Sequence, residues 1–354
     1  MMAVPSVDVD TKEMLSAILA VESTIKESSD LTFAGMEKEL FGDKGVLAEP
    51  RFDQIRSGCD LFKLRLTKQL EAHTHDLGNN MANMRQTLID RCRWYHTVCE
   101  AGPSTIVNDL LPFVRHGSKV LVLGSGSCLA LALKSCVSVC SGVQFYILEG
   151  APQGHGKAVM AKALETNLCG VGNNQGLMGS GNTTGTSINS GLPQSNSELN
   201  AQLRKACTIV PDSAVGGLLS DIDFVVVGAN AVTEHGGLVH CPGTLQLAIV
   251  AQSMKVPLYV LCETFKYARI FPMSIKDLKP LAPPTTSNEG AAEGKPADSW
   301  VTWPTDVLKS VDLVPPTLIT LLFTEQGIIT PSAVAHEMFR IYTGRESGDA
   351  NQIF

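Results

Sequence analysis

The chain has 354 residues, 44% of them hydrophobic, which is enough to bury one large core together with a smaller helical unit. Its formal net charge of −7 argues against a surface that neutralises nucleic-acid phosphates or anionic lipids. Its ten cysteines form no CxxC pair and have no zinc-type spacing with histidine, so we expect reduced thiols, no disulfide framework and no metal.

The amino-terminal stretch carries no targeting pattern. MMAVPSVDVDTKEML lacks the basic flank and apolar centre of a secretory signal. No apolar run approaches the roughly 20 residues that a membrane helix needs. We therefore expect a soluble cytosolic (cytoplasmic) protein that contacts neither a membrane nor nucleic acid directly.

The first third of the chain has helical periodicity. Apolar residues recur three and four positions apart in TKEMLSAILAVEST and NMANMRQTLIDRCRWYHTVCEAG. This pattern predicts a helical N-terminal domain over residues 1–114. Thr32 and Glu37 lie near a predicted helix start in SSDLTFAGMEKEL, where such residues usually cap or solvate a helix.

Residues 115–343 change to short apolar runs that alternate with helical segments. The runs are KVLVL, VQFYIL, CTIVP, IDFVVVGA, VPLYVLC and TLITLLF. Their continuous hydrophobicity predicts strands buried on both faces and joined by right-handed crossovers. The predicted fold class is α/β, with the helical N-terminal domain followed by a Rossmann-like, mostly parallel, doubly wound sheet domain.

Two segments have the wrong composition for this core. Residues 171–198 are rich in Gly, Asn, Ser and Thr, and residues 279–299 are rich in Pro, Gly and Ala. We predict that both are flexible insertions in the sheet domain. Residues 344–354 are predicted to form a loose tail.

The stretch VLVLGSGSCLALAL has part of a dinucleotide fingerprint. Gly124 and Gly126 satisfy two of its three glycine positions, Leu129 occupies the third, and Glu149 could contact a ribose. A nicotinamide or methyl-donor site and a plain strand-to-helix turn both fit this pattern, and we expect no cofactor. Cys128 is predicted to be a core residue.

A second glycine cluster lies in VVVGANAVTEHGGLVHCPGTLQLAIVAQ. Gly236 and Gly237 permit positive φ angles. Gly243 and Thr244 open the next predicted helix, where backbone amides could bind an anion. The alternative is that Thr244 is an ordinary N-cap.

Candidate catalytic groups are few. His235 and His240 are interpreted as polar loop residues rather than a base or a metal pair. Glu263 and Lys266 follow the fifth predicted strand, where they could form a solvated pair, an inter-subunit contact or a catalytic pair. The sequence pattern alone does not distinguish these three roles.

Three blocks carry a family resemblance: GTLQLAIVA, ETFKYARIFP and LLFTEQGIITPSAV. They closely resemble the family of the alpha, beta and delta subunits of eukaryotic translation initiation factor 2B, and within it the alpha type. The family also includes sugar-phosphate isomerases. A weaker likeness extends to TFAGMEKEL, RSGCDLF and GHGKAVMAKAL, so the resemblance covers most of the chain apart from the two insertions.

The resemblance implies an absence of catalysis. The isomerases of this family have a catalytic cysteine and a catalytic aspartate at positions that correspond to Gly124 and Asn230 here. A lysine of the isomerases corresponds to Cys241. Because neither glycine nor asparagine can transfer a proton near neutral pH, we expect no catalytic residue and no proton-transferring group in this cleft. The alternative is an active aldose-ketose isomerase of ribose or methylthioribose phosphate.

The family likeness also suggests a residual ligand pocket. We expect five residues to contact a sugar phosphate or another anion there, namely Arg56, Ser57, Asn230, Gly243 and Thr244.

The resemblance implies a regulatory role in stress through protein partners. These would be a second copy of the chain, the beta, gamma, delta and epsilon subunits of a decameric guanine-nucleotide exchange factor, and the phosphorylated alpha subunit of translation initiation factor 2. Thr32 and Glu37 would contact the phosphorylated partner, and the apolar block over residues 317–341 would supply much of the homodimer surface.

Overall fold

The computed structural model describes residues 2–5, 11–28, 33–42, 45–48, 55–74, 81–150, 153–166, 196–281 and 311–343. Thr32, most of both predicted insertions and the predicted tail lie outside these residues. Glu37 lies within a described helix, but its side chain does not belong to the described part of the structure.

Helices precede the main sheet. They are α1 (Thr11–Glu27), α2 (Phe33–Phe41), α3 (Arg56–Thr74) and α4 (Met81–Leu110). In α1 the apolar side chains recur every three or four residues and are fully buried, namely Met14, Ile18, Val21 and Ile25. Packing of this apolar face against α4, α2 and α3 stabilises the helical region.

The strands of the described residues belong to three sheets. They are β1 (Met2–Pro5), β2 (Lys119–Leu123), β3 (Gln144–Leu148), β4 (Cys207–Val210), β5 (Phe224–Val227), β6 (Ala231–Thr233), β7 (Leu238–His240), β8 (Leu258–Leu261), β9 (Tyr267–Ala268), β10 (Leu278–Leu281), β11 (Asp312–Val314), β12 (Leu321–Thr324) and β13 (Gly327–Ile329). The remaining helices are α5 (Ser127–Val139), α6 (His155–Glu165), α7 (Asn196–Ala206), α8 (Val215–Leu218), α9 (Thr244–Ser253) and α10 (Val334–Thr343).

Within the described part of the chain, the main sheet has seven strands in the order β13-β12-β8-β5-β2-β3-β4. Every neighbouring pair is parallel except β12 and β13. Its six parallel strands follow the doubly wound order 3-2-1-4-5-6 when they are numbered along the chain. The order reverses between β2 and β5, so the crevice where such folds bind ligands lies beyond Leu123 and Val227.

Alternate residues of the parallel strands enter two cores. Val120 and Val122 pack with α4, α5, α6 and α7, whereas Leu121 and Leu123 face the core formed with α8, α9 and α10. Helices therefore cover both faces of the sheet, which is the arrangement expected for strands with continuous hydrophobicity. The predicted α/β fold class is confirmed.

The long helix α4 contributes to two cores. Tyr95 belongs to the core of the helical region, and Ile106 and Val107 belong to a core of the main sheet. Pro103 lies inside the helix between these two parts. The packing partner thus changes within α4, whereas the domain division at residue 114 remains a prediction.

The segment between β5 and α9 is a hairpin rather than the predicted loop. β6 and β7 pair antiparallel within a small sheet of order β11-β7-β6-β9. Gly236 adopts φ +83° in the turn, and a Cβ there would lie 2.1 Å from the Pro331 carbonyl oxygen. Gly237 is not in the left-handed region. The loop interpretation was wrong because each strand has only three residues, too few for a clear alternation.

The predicted insertion boundaries extend into regular structure. Residues 196–198 begin α7, in which Leu199 and Leu203 are buried, and residues 279–281 belong to β10, which pairs with β1. Glu198 in the first turn and Arg204 in the last turn complement the helix dipole of α7. Across the described residues, no helix combines the length and the hydropathy needed to cross a bilayer.

Candidate functional site at the carboxyl edge of the main sheet

The His240 ring packs against the loop that follows β2 at the crevice. Gly124 follows β2 directly and has a φ of +133°. A Cβ at this position would lie 3.1 Å from both Cε1 and Nε2 of His240 and 3.3 Å from Cδ2 of Leu129. A side chain at residue 124 would therefore require the imidazole and Leu129 to shift by a few tenths of an ångström.

His240 is fully buried, so its interpretation as a polar loop residue was wrong. It ends β7, and its Nδ1 lies 2.9 Å from Thr244 Oγ1 and 3.5 Å from Cys241 Sγ. Thr244 Oγ1 donates a hydrogen bond to the Cys241 carbonyl oxygen at 2.7 Å. Because the hydroxyl hydrogen is directed there, the Thr244 oxygen accepts from Nδ1–H of His240, which assigns a proton to that nitrogen.

A second histidine reaches the same place from α6. His155 is the first residue of that helix and is 4% exposed. Its Nδ1 lies 3.3 Å from Oγ of Ser125, in the loop after β2. His155 also interacts with the Cys241 thiol and lowers its pKa. The loops after β2, β3 and β7 thus converge on one buried thiol.

The Cys241 thiol is electrostatically unusual. Burial raises its pKa, but the positive charge of His240 and hydrogen bonds from His155 and His240 outweigh burial and lower the pKa to about 6. The expectation that no group in the cleft could transfer a proton was therefore wrong. Sequence reasoning noted Cys241 only as a departure from lysine.

The amides at the start of α9 already bind an internal anion. Asp312 Oδ2 accepts a hydrogen bond from Leu245 N at 2.9 Å. Burial raises the pKa of the Asp312 carboxyl, while hydrogen bonds from the backbone of Leu245, Gly243 and Thr244 and the charge of His240 act in the opposite direction. A phosphate at this helix start would have to displace Asp312.

Thr244 is not the N-cap of α9. Gly243 holds that position with φ +95°, and Thr244 is the first helical residue. The Thr244 side chain points back to the Cys241 carbonyl and to His240 instead of capping the helix.

The residues predicted for a ligand pocket form two groups. Asn230 is 1% exposed and its backbone N donates to Val239 O at 3.0 Å, next to His240 and near the start of α9. Arg56, at the start of α3, donates from Nη1 to the Leu47 carbonyl oxygen at 2.6 Å. Arg56 also lines a small cavity of about 70 Å³ in the helical region, together with Phe41, Leu47, Ala48, Cys59, Asp60 and Lys63. Ser57 is half-buried on the same helix.

Of the three roles left open for Glu263 and Lys266, that of a solvated pair is wrong. Lys266 Nζ lies 2.9 Å from Glu263 Oε2, and each side chain is 3% exposed. Thr11, the first residue of α1, donates to Glu263 Oε1 at 3.2 Å. The helical region covers the end of β8 and excludes water from this ion pair.

A further carboxylate, Glu325, lies beside this pair. Thr264 N donates to both Glu325 oxygens at 3.0 and 2.9 Å, and the Thr264 hydroxyl also donates to Glu325. Burial raises the pKa of Glu325, the hydrogen bonds from Thr264 lower it in part, and the neighbouring Glu263 charge raises it further. The cluster therefore concentrates buried charge where the helical region meets the main sheet.

The described residues contain no group of three or more His, Cys, Asp or Glu side chains suited to a metal ion. Sequence reasoning missed His155, Ser125 and Asp312, which reach the cleft from other segments. The His240-Cys241 pair at the end of an apolar run was the available local signal, but its burial could not be inferred from it.

Comparison with known proteins gives a consistent result. Residues 197–331 match the model of the Initiation factor 2 subunit family, IF-2B. The chain is 27% identical over 330 residues to translation initiation factor eIF2B subunit alpha of Dictyostelium discoideum, covering 90% of this chain and 88% of that one. It is 31% identical over 139 residues to ribose 1,5-bisphosphate isomerase of Archaeoglobus fulgidus, covering 37% of this chain and 40% of the isomerase.

The fold has a counterpart among solved structures. The crystal structure of eIF2B beta from Chaetomium thermophilum matches with a TM-score of 0.61 at 13% sequence identity, covering 98% of this chain and 90% of that one. The family model, the sequence likeness to an alpha subunit and the shared fold agree with one another. Residues 197–331 therefore match the initiation factor 2 subunit family, and the chain as a whole is similar to an eIF2B alpha subunit.

Proposed function

We propose that this chain is a non-catalytic regulatory subunit of an eIF2B-type guanine-nucleotide exchange factor for translation initiation factor 2. The extensive likeness to a protein named as an eIF2B alpha subunit supports this role. The single observation that carries the proposal is the closed space at Gly124, where the His240 ring lies within 3.1 Å of any Cβ.

The chemical reason is a missing acid and base. An isomerase of this family needs a thiol after β2 and a carboxylate after β5, and this chain has Gly124 and Asn230 at those positions. The Gly124 backbone geometry and the His240 ring also oppose a side chain at residue 124. The chain would then act by binding partners rather than by bond chemistry.

The proposed mechanism is a coupling between binding sites. The phosphorylated alpha subunit of translation initiation factor 2 would bind one arrangement of the assembly preferentially, and that arrangement would exchange nucleotide more slowly. The helical region would contribute to this contact in the cytosol under stress. Thr32 and Glu37 remain candidates for it, and Arg56, Ser57, Asn230, Gly243 and Thr244 remain candidates for an anion or sugar-phosphate contact.

We expect the tagged full-length chain, isolated from cells of its source under native conditions, to carry four companion subunits. Native mass spectrometry should give the mass of a decamer that contains two copies of this chain. The purified chain alone should not accelerate nucleotide release from translation initiation factor 2. A chain that is isolated only as itself, or that catalyses exchange alone, would contradict the proposal.

The same measurement tests the proposed homodimer surface within residues 317–341. Ile328 is 40% exposed and Phe339 is 56% exposed, which leaves apolar area on β13 and α10. We expect Phe339→Asp to convert the dimer to a monomer. The matched control is Val139→Asp on α5, where the wild-type side chain is 49% exposed, and this variant should stay dimeric. Loss of the dimer in both variants, or in neither, would count against this surface.

A sugar-phosphate isomerase is the second candidate function. It is favoured by the 31% identity to ribose 1,5-bisphosphate isomerase and by the presence of Cys241 and two histidines in the cleft. We expect the purified chain to convert no ribose 1,5-bisphosphate above the blank rate when product is followed by NMR. Turnover that is abolished by Cys241→Ser would establish the isomerase instead.

A further inference from the structure

The buried cluster of Cys241, His240, His155 and Thr244 has chemistry that the proposed regulatory function does not use. We propose that Cys241 is an oxidation site, which reacts with hydrogen peroxide as a thiolate paired with the His240 imidazolium. This proposal is independent of whether the chain assembles into an exchange factor.

The geometry suits a negatively charged sulfur. His240 Nδ1 lies 3.5 Å from Sγ, and Thr244 holds the His240 ring in place through its contact of 2.9 Å with Nδ1. His155 approaches the same atom from α6. These polar groups meet inside the protein, where low polarity strengthens the attraction between a thiolate and an imidazolium.

The charged groups around the pair can be named element by element. β7 contributes His240, α6 contributes His155 and β11 contributes Asp312, whose carboxylate interacts with His240 and with the amides of α9. Cys241 and Asp312 are thus the acidic groups that interact electrostatically with His240.

Burial alone does not make a cysteine a thiolate. Cys241 and Cys136 are both 1% exposed, but burial raises the pKa of Cys136, whereas the histidines lower that of Cys241 to about 6. At neutral pH most Cys241 is therefore thiolate and most Cys136 is thiol. The thiolate is the nucleophile. Because the two cysteines are equally buried, a difference in their reactivity would come from ionisation and not from exposure.

The reaction balances with peroxide as the only co-reactant. The Cys241 sulfur attacks one peroxide oxygen, an S–O bond forms and the O–O bond breaks, which gives the sulfenic acid and hydroxide. The His240 imidazolium supplies the proton that converts hydroxide to water. Sulfur loses two electrons and peroxide gains them.

The loops next to Cys241 and His155 have open space at two glycines. Gly243, two residues after Cys241, is exposed, and no atom lies within 4 Å of where its Cβ would be. Gly154, next to His155, has equally open surroundings. We therefore expect peroxide to reach the buried thiol when these loops open locally.

The test measures oxidation of each cysteine in the full-length wild-type chain. The protein is treated with hydrogen peroxide, quenched with catalase, denatured and alkylated, and the unmodified fraction of each cysteine peptide is quantified by mass spectrometry. We expect Cys241 to be oxidised at least about tenfold faster than Cys136, with a rate that is constant between pH 7 and 9 and falls below pH 6. Equal rates for the two cysteines, or a Cys241 rate that rises about tenfold per pH unit above pH 7 as for an ordinary thiol, would overturn the proposal.

Two substitutions identify the cause. His240→Asn and His155→Gln should each slow the oxidation of Cys241 and shift its pH profile upward, while Cys136 stays protected. A rise in Cys136 oxidation would reveal unfolding, in which case the wild-type pH profile alone decides the outcome. An unchanged Cys241 rate in both folded variants would refute the pairing.

Discussion

Replacing Lys266 by methionine is expected to lower the free energy of unfolding by about 3–5 kcal/mol, because it leaves a buried carboxylate without its counter-ion. Lys266 Nζ lies 2.9 Å from Glu263 Oε2, and both side chains are almost completely excluded from solvent. Glu325 adds a second buried carboxylate to the cluster. The loss is measured by urea denaturation at neutral pH, followed by circular dichroism.

Two further variants establish that the effect comes from uncompensated buried charge. The double variant Glu263→Gln/Lys266→Met should recover most of the lost stability, because it removes both charges. Lys157→Met is the matched exposed control, since Lys157 pairs with Glu149 at 3.9 Å with side chains 75% and 44% exposed. That control should change the free energy of unfolding by less than about 0.5 kcal/mol. A Lys266→Met variant as stable as Lys157→Met would contradict the argument.

We expect Gly124→Ala to destabilise the protein by about 2–5 kcal/mol, from the combined cost of an unfavourable backbone conformation and an overpacked site. The φ of +133° is one that L side chains rarely adopt. The new Cβ would also lie 3.1 Å from the His240 ring, which is held in place by Thr244. Thermal and urea unfolding of purified variants measure the loss.

A glycine series separates the two contributions to this loss. Gly243→Ala has a positive φ of +95° but open space around the new Cβ, so it should lose only the backbone part, about 1–3 kcal/mol. Gly216→Ala has neither a left-handed φ nor a close neighbour and lies in α8, so its stability should stay equal or rise slightly. If Gly124→Ala costs no more than Gly243→Ala, the His240 ring does not close the cleft.

The buried ion pair and the glycine site serve different functions in the fold. The buried ion pair joins the start of α1 to the end of β8, so its loss should loosen the attachment of the helical region to the sheet. The glycine site controls whether the crevice can hold a side chain after β2. If the chain is a regulatory subunit, the first feature would transmit partner binding and the second would exclude isomerase chemistry.

The sequence by itself determined the elements with strong local periodicity and the class of fold. α1 follows from apolar residues at helical spacing, and β2, β5 and β8 follow from short continuous apolar runs. Cys128 was correctly predicted to be buried, since it lies in an apolar helix that directly follows a strand. These features depend only on residues that are close along the chain.

Only the tertiary structure decided what meets in the cleft. His155, His240 and Asp312 belong to three separate segments, and their contacts with the Cys241 region depend on the order of strands and on the hairpin β6-β7. The burial of Lys266 likewise depends on α1, which lies more than 200 positions away in sequence. A pKa or the strength of an ion pair is set by the groups and the solvent in three dimensions, so no local pattern could predict them.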